Sequence, residues 1–335
     1  KYKGEWEQMS ERVGFWADME HPYVTYEDAY IESVWWSLKQ IHEKGLLYKG
    51  HKVLPYCPRC GTALSSHEVA QGYKDVKEVS AIARFFCKDD PALAILAWTT
   101  TPWTLPSNVA LCVNAKESYV EAKLDGARYI LAEALVPAVL GEEAEIVKRF
   151  LGETLVGREY QPLFELPVNF GNKKGYRVVA DEYVTLSDGT GVVHIAPAFG
   201  EDDGRIGKRE DLPFVQFVAS NGHMTGGTPW DGLFVKDADK EIIKTLKESG
   251  KLFKTLPFEH SYPFCWRCDT PLIYYARESW FVEMTKVREQ LVANNRHIHW
   301  IPESIKEGRM GNFVENVIDW SVSRERYWGT PLPVW

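Results

Sequence analysis

Two Cys-x-x-Cys pairs, Cys57-Pro-Arg-Cys60 and Cys265-Trp-Arg-Cys268, bracket residues 61–264 of this 335-residue chain. Within a pair this spacing lets two thiolates converge on one ion, and a closed tetrahedral shell takes four. Redox pairs and disulfides use the same spacing. Two pairs argue against a single redox motif, and the opening KYKGEWEQMS has no apolar h-region of the kind that leads a chain to a disulfide-forming compartment. One Zn²⁺ held by all four cysteines makes residues 61–264 an insertion that leaves and returns at one point, with a structural metal clasp at its neck. Cys87 and Cys112 lie in apolar strand-like runs and read as small buried side chains.

The texture changes along the chain in a way that fits this division. From Thr25, the residues Tyr26, Tyr30, Ile31, Val34, Trp35, Leu38 and Ile41 recur at helical spacing, with Thr25 and Asp28 as a capping-box-like start and Gly45 as a stop. Between Val79 and about Ala219 come short strand-like runs punctuated by Gly, Pro, Asp and Asn: VSAIARFF, LAILAW, NVALCV, YVEAKL, RYIL, YRVVA, GVVHIA and FVQFVA. AEALVPAVL is a helical interruption, and a helix capped by Asp237 and stopped by Gly250 closes the region. After the second cysteine pair, SWFVEMTKVREQLVANN and PESIKEGRMGNFVENV read as helical. The expected fold is mixed α/β, of the α+β kind: a β-barrel-like domain inserted through the clasped neck, with flanking helices. No run of about 18 apolar residues occurs, so no membrane helix is expected. The formal net charge of −8 leaves any nucleic-acid contact to local patches rather than bulk attraction. The missing initiator Met and the abrupt PLPVW end suggest a piece of a longer chain.

Two constellations carry chemistry. In AWTTTPWTLPSN, Trp98 ends an apolar strand and Thr99, Thr100 and Thr101 follow, while Pro102 and Pro106 break the strand and hold Thr104 and Asn108 in a bend. Threonine offers a donor, an acceptor and a methyl on one short side chain, so a wall of them can bond a polar ligand while limiting pocket volume. The plainer use of such a stretch is a threonine-rich strand edge. In SDGTGVVHIAPAFGEDDG, a glycine turn feeds a strand from Val192 to Ile195 that puts Val192 and His194 on one face, and the acidic loop Glu201, Asp202, Asp203 follows. A His beside carboxylates can do acid–base work, bind a metal or hold a cation. The plainer reading is a core histidine beside a solvated loop. No G-x-S-x-G, H-E-x-x-H or P-loop pattern occurs, and no nucleophile–base pair is visible, so water is the expected nucleophile of any hydrolysis.

WTTTPWTLPSN and GTGVVHIAPAFGEDD resemble the two signature segments of the editing domain of class I isoleucyl-tRNA synthetases, and ERVGFWADMEHPYVTYEDAYIESVWW, GLLYKGHKVLPYCPRCGTALSSHEVAQGY and DWSVSRERYWGTPLPVW resemble the same family's flanking core. Valyl and leucyl relatives carry an arginine-containing T-T-R-P where this chain has Thr99-Thr100-Thr101-Pro102, and valyl enzymes tend to have lysine at the position of His194. Both differences favour isoleucine. The resemblance implies the following organisation: 1–52 leading from the catalytic core, 53–76 the first half of the zinc clasp, 77–250 the editing domain, 251–280 the second half, and 281–335 the return to the core. It implies that Thr100, Thr101, Thr104 and Asn108 line a second site around the aminoacyl ester and terminal adenosine, and that His194 sits by the side-chain pocket to exclude isoleucine. Asp203 would pair with the substrate's α-ammonium, Trp98, Thr99 and Asp202 would add substrate contacts, and Cys57, Cys60, Cys265 and Cys268 would hold structural Zn²⁺. The substrate is then valyl-tRNA(Ile), hydrolysed while isoleucyl-tRNA(Ile) is spared; a missing methylene gives one site little discrimination, and the isoleucine–valine pair is itself the standard illustration of that limit.

The family's ATP-site signatures H-I-G-H and K-M-S-K-S are absent, so ATP and Mg²⁺ are expected only in the longer parent. The expected setting is a cytoplasmic monomer with tRNA(Ile) as partner and no membrane. Two other classes remain open from the residues alone. One is a metal-dependent hydrolase using His194 with Asp202 and Asp203; the other is a non-catalytic, zinc-stabilised tRNA-binding module.

Overall fold

A computed structural model describes residues 2–323 and 329–334. Two compact units emerge, Lys1–Gly50 with Glu278–Trp335, and His51–Arg277. The first begins with α1 (Tyr2–Arg12) and α2 (Asp28–Glu43). The capping box expected at Thr25 and Asp28 does not form: Glu27 is the N-cap of α2 and makes no side-chain cap bond. Gly45, at φ +67°, ends the helix as its sequence position implied.

β1 (Leu47–Cys57) carries the chain into the second unit, where β2 (Thr62–Ala63) folds back on it through the pairs Tyr56↔Ala63 and Cys57↔Thr62. Then follow α3 (Ser66–Ala70), β3 (Tyr73–Phe86), β4 (Leu93–Thr99), β5 (Ala110–Val113), β6 (Ser118–Leu124), β7 (Ala127–Ala132), α4 (Val136–Val139), β8 (Glu145–Leu151), β9 (Arg177–Ala180), β10 (Val193–Ile195), α5 (Glu201–Arg209), α6 (Val235–Glu248) and β11 (Leu252–Pro263). β12 (Ile273–Val282) leads out of the unit, and α7 (Arg288–His297), α8 (Ser304–Glu307), α9 (Arg309–Glu315) and β13 (Trp320–Ser321) complete the other. Within that unit β13 pairs with the end of β12, Phe281↔Ser321 and Val282↔Trp320. Among the described residues no helix is long and apolar enough to cross a membrane.

The fold is mixed α/β around a curled, half-barrel sheet of nine strands, in the order β8-β6-β7-β4-β10-β5-β9, with β3 joining β4 to β11. Its core is built from the inward residues of these strands, among them Ile82, Phe85, Ile95, Leu111, Ile130, Val179 and Ile195, closed by Ile242 and Leu246 of α6. The pairing of β4 sets where the sheet opens. β3 takes one edge of β4, but the other edge is shared: β7 pairs with Leu93–Ile95, and β10 pairs with Trp98 alone. The sheet therefore divides at the end of β4, where the threonine run begins.

Several segments differ from their sequence expectation. FVQFVA forms no strand; only Val218 makes an isolated bridge, to Met224. Ser279–Val282, expected as helix, is the end of β12, and the helical part starts later. α6 begins at Val235, so Asp237 lies in its first turn rather than at its cap. The 11-residue pairing of β3 with β11, Tyr73 with Pro263 at one end, was not legible, because Lys, Asp and Glu interrupt any apolar alternation there. Cys87 and Cys112 are buried as expected, and burial pushes their thiols up to about 11 and about 12.

Candidate functional site

Past the division of the sheet lies a cavity of about 340 Å³. β4 supplies Trp98 and Thr99, Thr100 and Thr101 follow, the 3-10 turn Pro102–Ser107 supplies Thr104, β10 supplies His194, and the first turn of α5 supplies Asp203. Seven of the residues singled out from the sequence thus share one wall system. Two do not. Asn108 is buried behind it, where its Oδ1 accepts the Tyr160 hydroxyl at 2.6 Å and its Nδ2 donates to the Ala110 carbonyl at 2.8 Å. Both ends are occupied, so its role here is to fix the turn. Asp202 is exposed on the outer side of α5, where it accepts from Arg205.

The local hydrogen bonds determine what each group can do. The Thr101 N–H donates to Thr99 Oγ1 at 3.1 Å. The Thr104 hydroxyl donates to the Thr101 carbonyl at 2.8 Å and lies 3.0 Å from His194 Nε2. A hydroxyl has one proton, so with that proton on the Thr101 carbonyl the contact requires Nε2–H as donor. His194 Nδ1 is then a bare acceptor, and it is buried with no hydrogen-bond partner. At 7 % exposure the ring is held neutral, its pKa pushed down to about 4 by burial. Thr104 is not an activated nucleophile, since the imidazole donates to it rather than taking its proton.

Asp203 is half-buried at the third position of α5, and its Oδ2 accepts the Ala196 N–H at 2.9 Å. Desolvation pushes its carboxyl up to about 7, against the pull of that bond. A carboxylate so placed gains from a cation arriving beside it.

Sequence reasoning missed Tyr183, Thr185, Asp188, Thr190 and Phe199, which also line the cavity. Tyr183 matters most. Its hydroxyl is buried without a partner, and burial and the Asp203 carboxylate both push its ionisation far up. Its N–H donates to Asp181 Oδ1 at 3.0 Å, and Arg205 of α5 clamps Asp181 at 2.8 and 3.0 Å, tying the Tyr183 loop to the helix that carries Asp203. Trp98 Nε1 is a third buried polar atom without a partner. Among the described residues six such atoms occur, and three of them, on Trp98, Tyr183 and His194, belong to side chains lining this cavity. Unpaired buried polar groups are costly, so their concentration here marks a place built to be paired by a ligand. Gly189 lets the loop close on Trp98: it has φ +71°, and a Cβ there would meet the Trp98 ring at 2.8 Å.

The four cysteines converge elsewhere in the same unit. Cys57 Sγ and Cys268 Sγ are 3.5 Å apart, Cys60 and Cys268 3.5 Å, and Cys60 and Cys265 4.0 Å. All four sulfurs lie within 4.8 Å of one another, and all are free thiols. Four sulfurs around one zinc at about 2.3 Å stand about 3.8 Å apart, so the donor set fits the ion. Burial pushes the Cys57 thiol up; at Cys268 burial acts in the same direction but hydrogen bonds from Thr270 and the neighbouring sulfurs outweigh it, lowering that thiol to about 6. Among the described residues this is the one close group of metal-ligating side chains; His194, Asp202 and Asp203 form none.

The family model that matches this chain, with its hydroxyl-walled cavity and four-cysteine centre, is that of the aminoacyl-tRNA synthetases. The chain belongs to the class I tRNA synthetases of the isoleucine, leucine, methionine and valine group, whose model matches residues 1–335. Within that family it is 60 % identical over 337 residues to isoleucine–tRNA ligase of Clostridium acetobutylicum, and 58 % identical over 336 residues to that of Clostridium novyi. Each match covers 100 % of this chain and 32 % of the relative, so the chain spans about a third of the length of the curated relatives it matches. Among solved structures it is similar to the editing domain of P. knowlesi cytosolic leucyl-tRNA synthetase, with TM-score 0.42, 13 % identity, and coverage of 55 % of this chain and 98 % of that one.

Proposed function

We propose that the cavity hydrolyses the ester of valyl-tRNA(Ile) and spares isoleucyl-tRNA(Ile), in a longer protein that ligates isoleucine to tRNA(Ile) with ATP and Mg²⁺ in the cytoplasm. The observation that carries this reading is the threonine wall facing His194 and Asp203 across one cavity, with three unpaired polar side-chain atoms around it. Asp203 takes the α-ammonium of the aminoacyl group, a charge-assisted contact strengthened by its desolvated setting. His194, neutral and fixed against Thr104, acts by position: it bounds the side-chain pocket, and its Nδ1 accepts a hydrogen bond from the ligand or its water. Because the imidazole donates to Thr104, no protein nucleophile is prepared, and water attacks the ester. The threonine hydroxyls and the Tyr183 hydroxyl orient the ester and its sugar, so catalysis rests on positioning and on donors aimed at developing charge.

The four cysteines hold structural zinc, which supplies a rigid cross-link and no open coordination position. Single-turnover deacylation with protein in excess over valyl- and isoleucyl-tRNA(Ile), beside Asp203→Ala, tests the reading. Loss of valine alone, abolished by the substitution, is the expected result. Binding of tRNA without turnover, unchanged by Asp203→Ala, would replace it with a binding module.

A further inference from the structure

Helix α6 contributes nothing to the cavity lining, yet one of its side chains reaches the turn that carries Thr104. Asp239 Oδ1 accepts the Trp103 N–H at 2.8 Å. Trp103 is the second residue of the 3-10 turn Pro102–Ser107, all six of whose residues are buried. The first turn of any such helix leaves N–H groups without intrahelical partners. Pro102 has none to satisfy, and the turn's own N-cap, Thr101, makes no side-chain cap bond. Asp239 therefore supplies, from a distant element, the cap that the local sequence lacks.

The consequence reaches the site in one step. Thr104 follows Trp103; its N–H bonds to the Thr101 carbonyl at 3.0 Å, its hydroxyl bonds to the same carbonyl, and its Oγ1 accepts from His194. The Trp103 ring packs edge-on against Phe199, another cavity residue, with ring centroids 5.0 Å apart. At the far end Ser107 Oγ accepts the Phe217 N–H at 3.3 Å.

The groups around Asp239 leave it to this task. Lys236, on its own helix, pairs with Glu78 of β3 at 2.7 Å, and Glu78 also faces His260 of β11 at 3.2 Å; Tyr262 of β11 donates its hydroxyl to Leu272. Burial pushes the Asp239 carboxyl up to about 7, with Lys236 and the Trp103 N–H opposing. An acid kept at that cost, bonded to one N–H of a buried turn, is a device for placing the turn.

We propose that Asp239 is a positioning residue for the discriminating wall of the cavity: by capping the Pro102–Ser107 turn through the Trp103 N–H, it sets the contact between Thr104 and His194 on which the exclusion of isoleucine depends. This rests on the deacylase reading. The experiment compares the wild-type chain with Asp239→Asn, which keeps the acceptor oxygen, and Asp239→Ala, which removes it. Single-turnover deacylation is followed on both esters, with melting temperature measured in parallel. For Asp239→Ala the expected result is a tenfold or greater fall in the saturating valyl rate at little change in the half-saturating concentration, and hydrolysis of the isoleucyl ester that the wild type spares. Asp239→Asn restores both, while a fold-wide loss would lower the rate on one ester without opening the site to the other. The second readout needs no activity: the ring ¹⁵N shifts of His194, assigned by comparison with His194→Gln, move in Asp239→Ala and hold in Asp239→Asn. Unchanged discrimination and unchanged His194 shifts in Asp239→Ala overturn the proposal. A wild type that hydrolyses neither ester sinks the deacylase reading instead, and the His194 shifts then decide the positioning role alone.

Discussion

His194 and Asp203 face the same cavity with opposite responses to burial. The histidine is pushed down to about 4 and stays neutral at working pH; the aspartate is pushed up to about 7 and sits at its titration point. His194→Ala should widen the pocket by most of a ring and let the isoleucyl ester be hydrolysed, at a valyl rate within about tenfold of wild type; parallel deacylation of the two esters measures it. Asp203→Asn removes the charge that meets the α-ammonium, and a lost charge pair of about 3 kcal/mol means on the order of a hundredfold weaker use of the valyl ester. In the wild type, the half-saturating concentration should rise as pH falls below about 7, because the protonated acid no longer attracts the cation.

The linkage has a definite sign for stability. A carboxyl whose folded pKa exceeds its unfolded value binds more protons folded than unfolded, so its contribution falls as pH rises from about 4 to about 7 and stays low above that. Asp203→Asn should therefore be more stable than wild type at pH 8, with the difference vanishing near pH 4, as urea melts at the two pH values will show. Stability traded for a charged site is the pattern expected of a functional residue.

At the scale of elements, the local sequence placed most of the pieces but not their joints. The apolar run of β4 and the two prolines after it were legible, and so was the break that becomes the turn Pro102–Ser107. Asn108, in the same stretch and equally polar, faces away from the cavity, because its side chain is consumed by Tyr160 and Ala110. Nothing in the spacing of a bend tells which of its polar side chains points inward. Tyr183 was missed for the converse reason: it comes from an irregular loop with no period, held near Asp203 by the Asp181–Arg205 clamp and by the buried Val184, whose carbonyl accepts from Asn114. Gly189 is the hinge of that loop's approach. Gly189→Ala combines a left-handed backbone with a methyl 2.8 Å from the Trp98 ring, and should cost about 2 kcal/mol of stability or displace the tryptophan. Denaturant melts read the first outcome, and a change in the intrinsic tryptophan fluorescence reads the second.

For the molecule as a whole, the cysteine clasp is the long-range constraint. It brings residues 57–60 and residues 265–268 together, and a zinc ion bound there would stabilise the folded chain through a site that forms only when these distant segments meet. Zinc removal by a strong chelator, or Cys265→Ser, should lower the melting temperature by several degrees, with about one zinc per chain found before and none after. An unchanged melt and no bound metal would leave the cysteines as a thiol cluster only.

Composition, spacing and motif determined a great deal here without any coordinates. They set the mixed α/β insertion, the pairing of two distant Cys-x-x-Cys motifs, the broken threonine strand, and the likeness to isoleucyl-tRNA synthetases. Each of these is written in residue type and local period, which survive being read one position at a time. The division of the sheet at Trp98, the capture of Tyr183 by the Asp181 clamp, and the cap that Asp239 lends to a turn 136 residues away were decided only by the tertiary structure. Those three depend on which donor finds which acceptor once the chain has closed, and that is a property of distances in space, on which a position in sequence carries no mark.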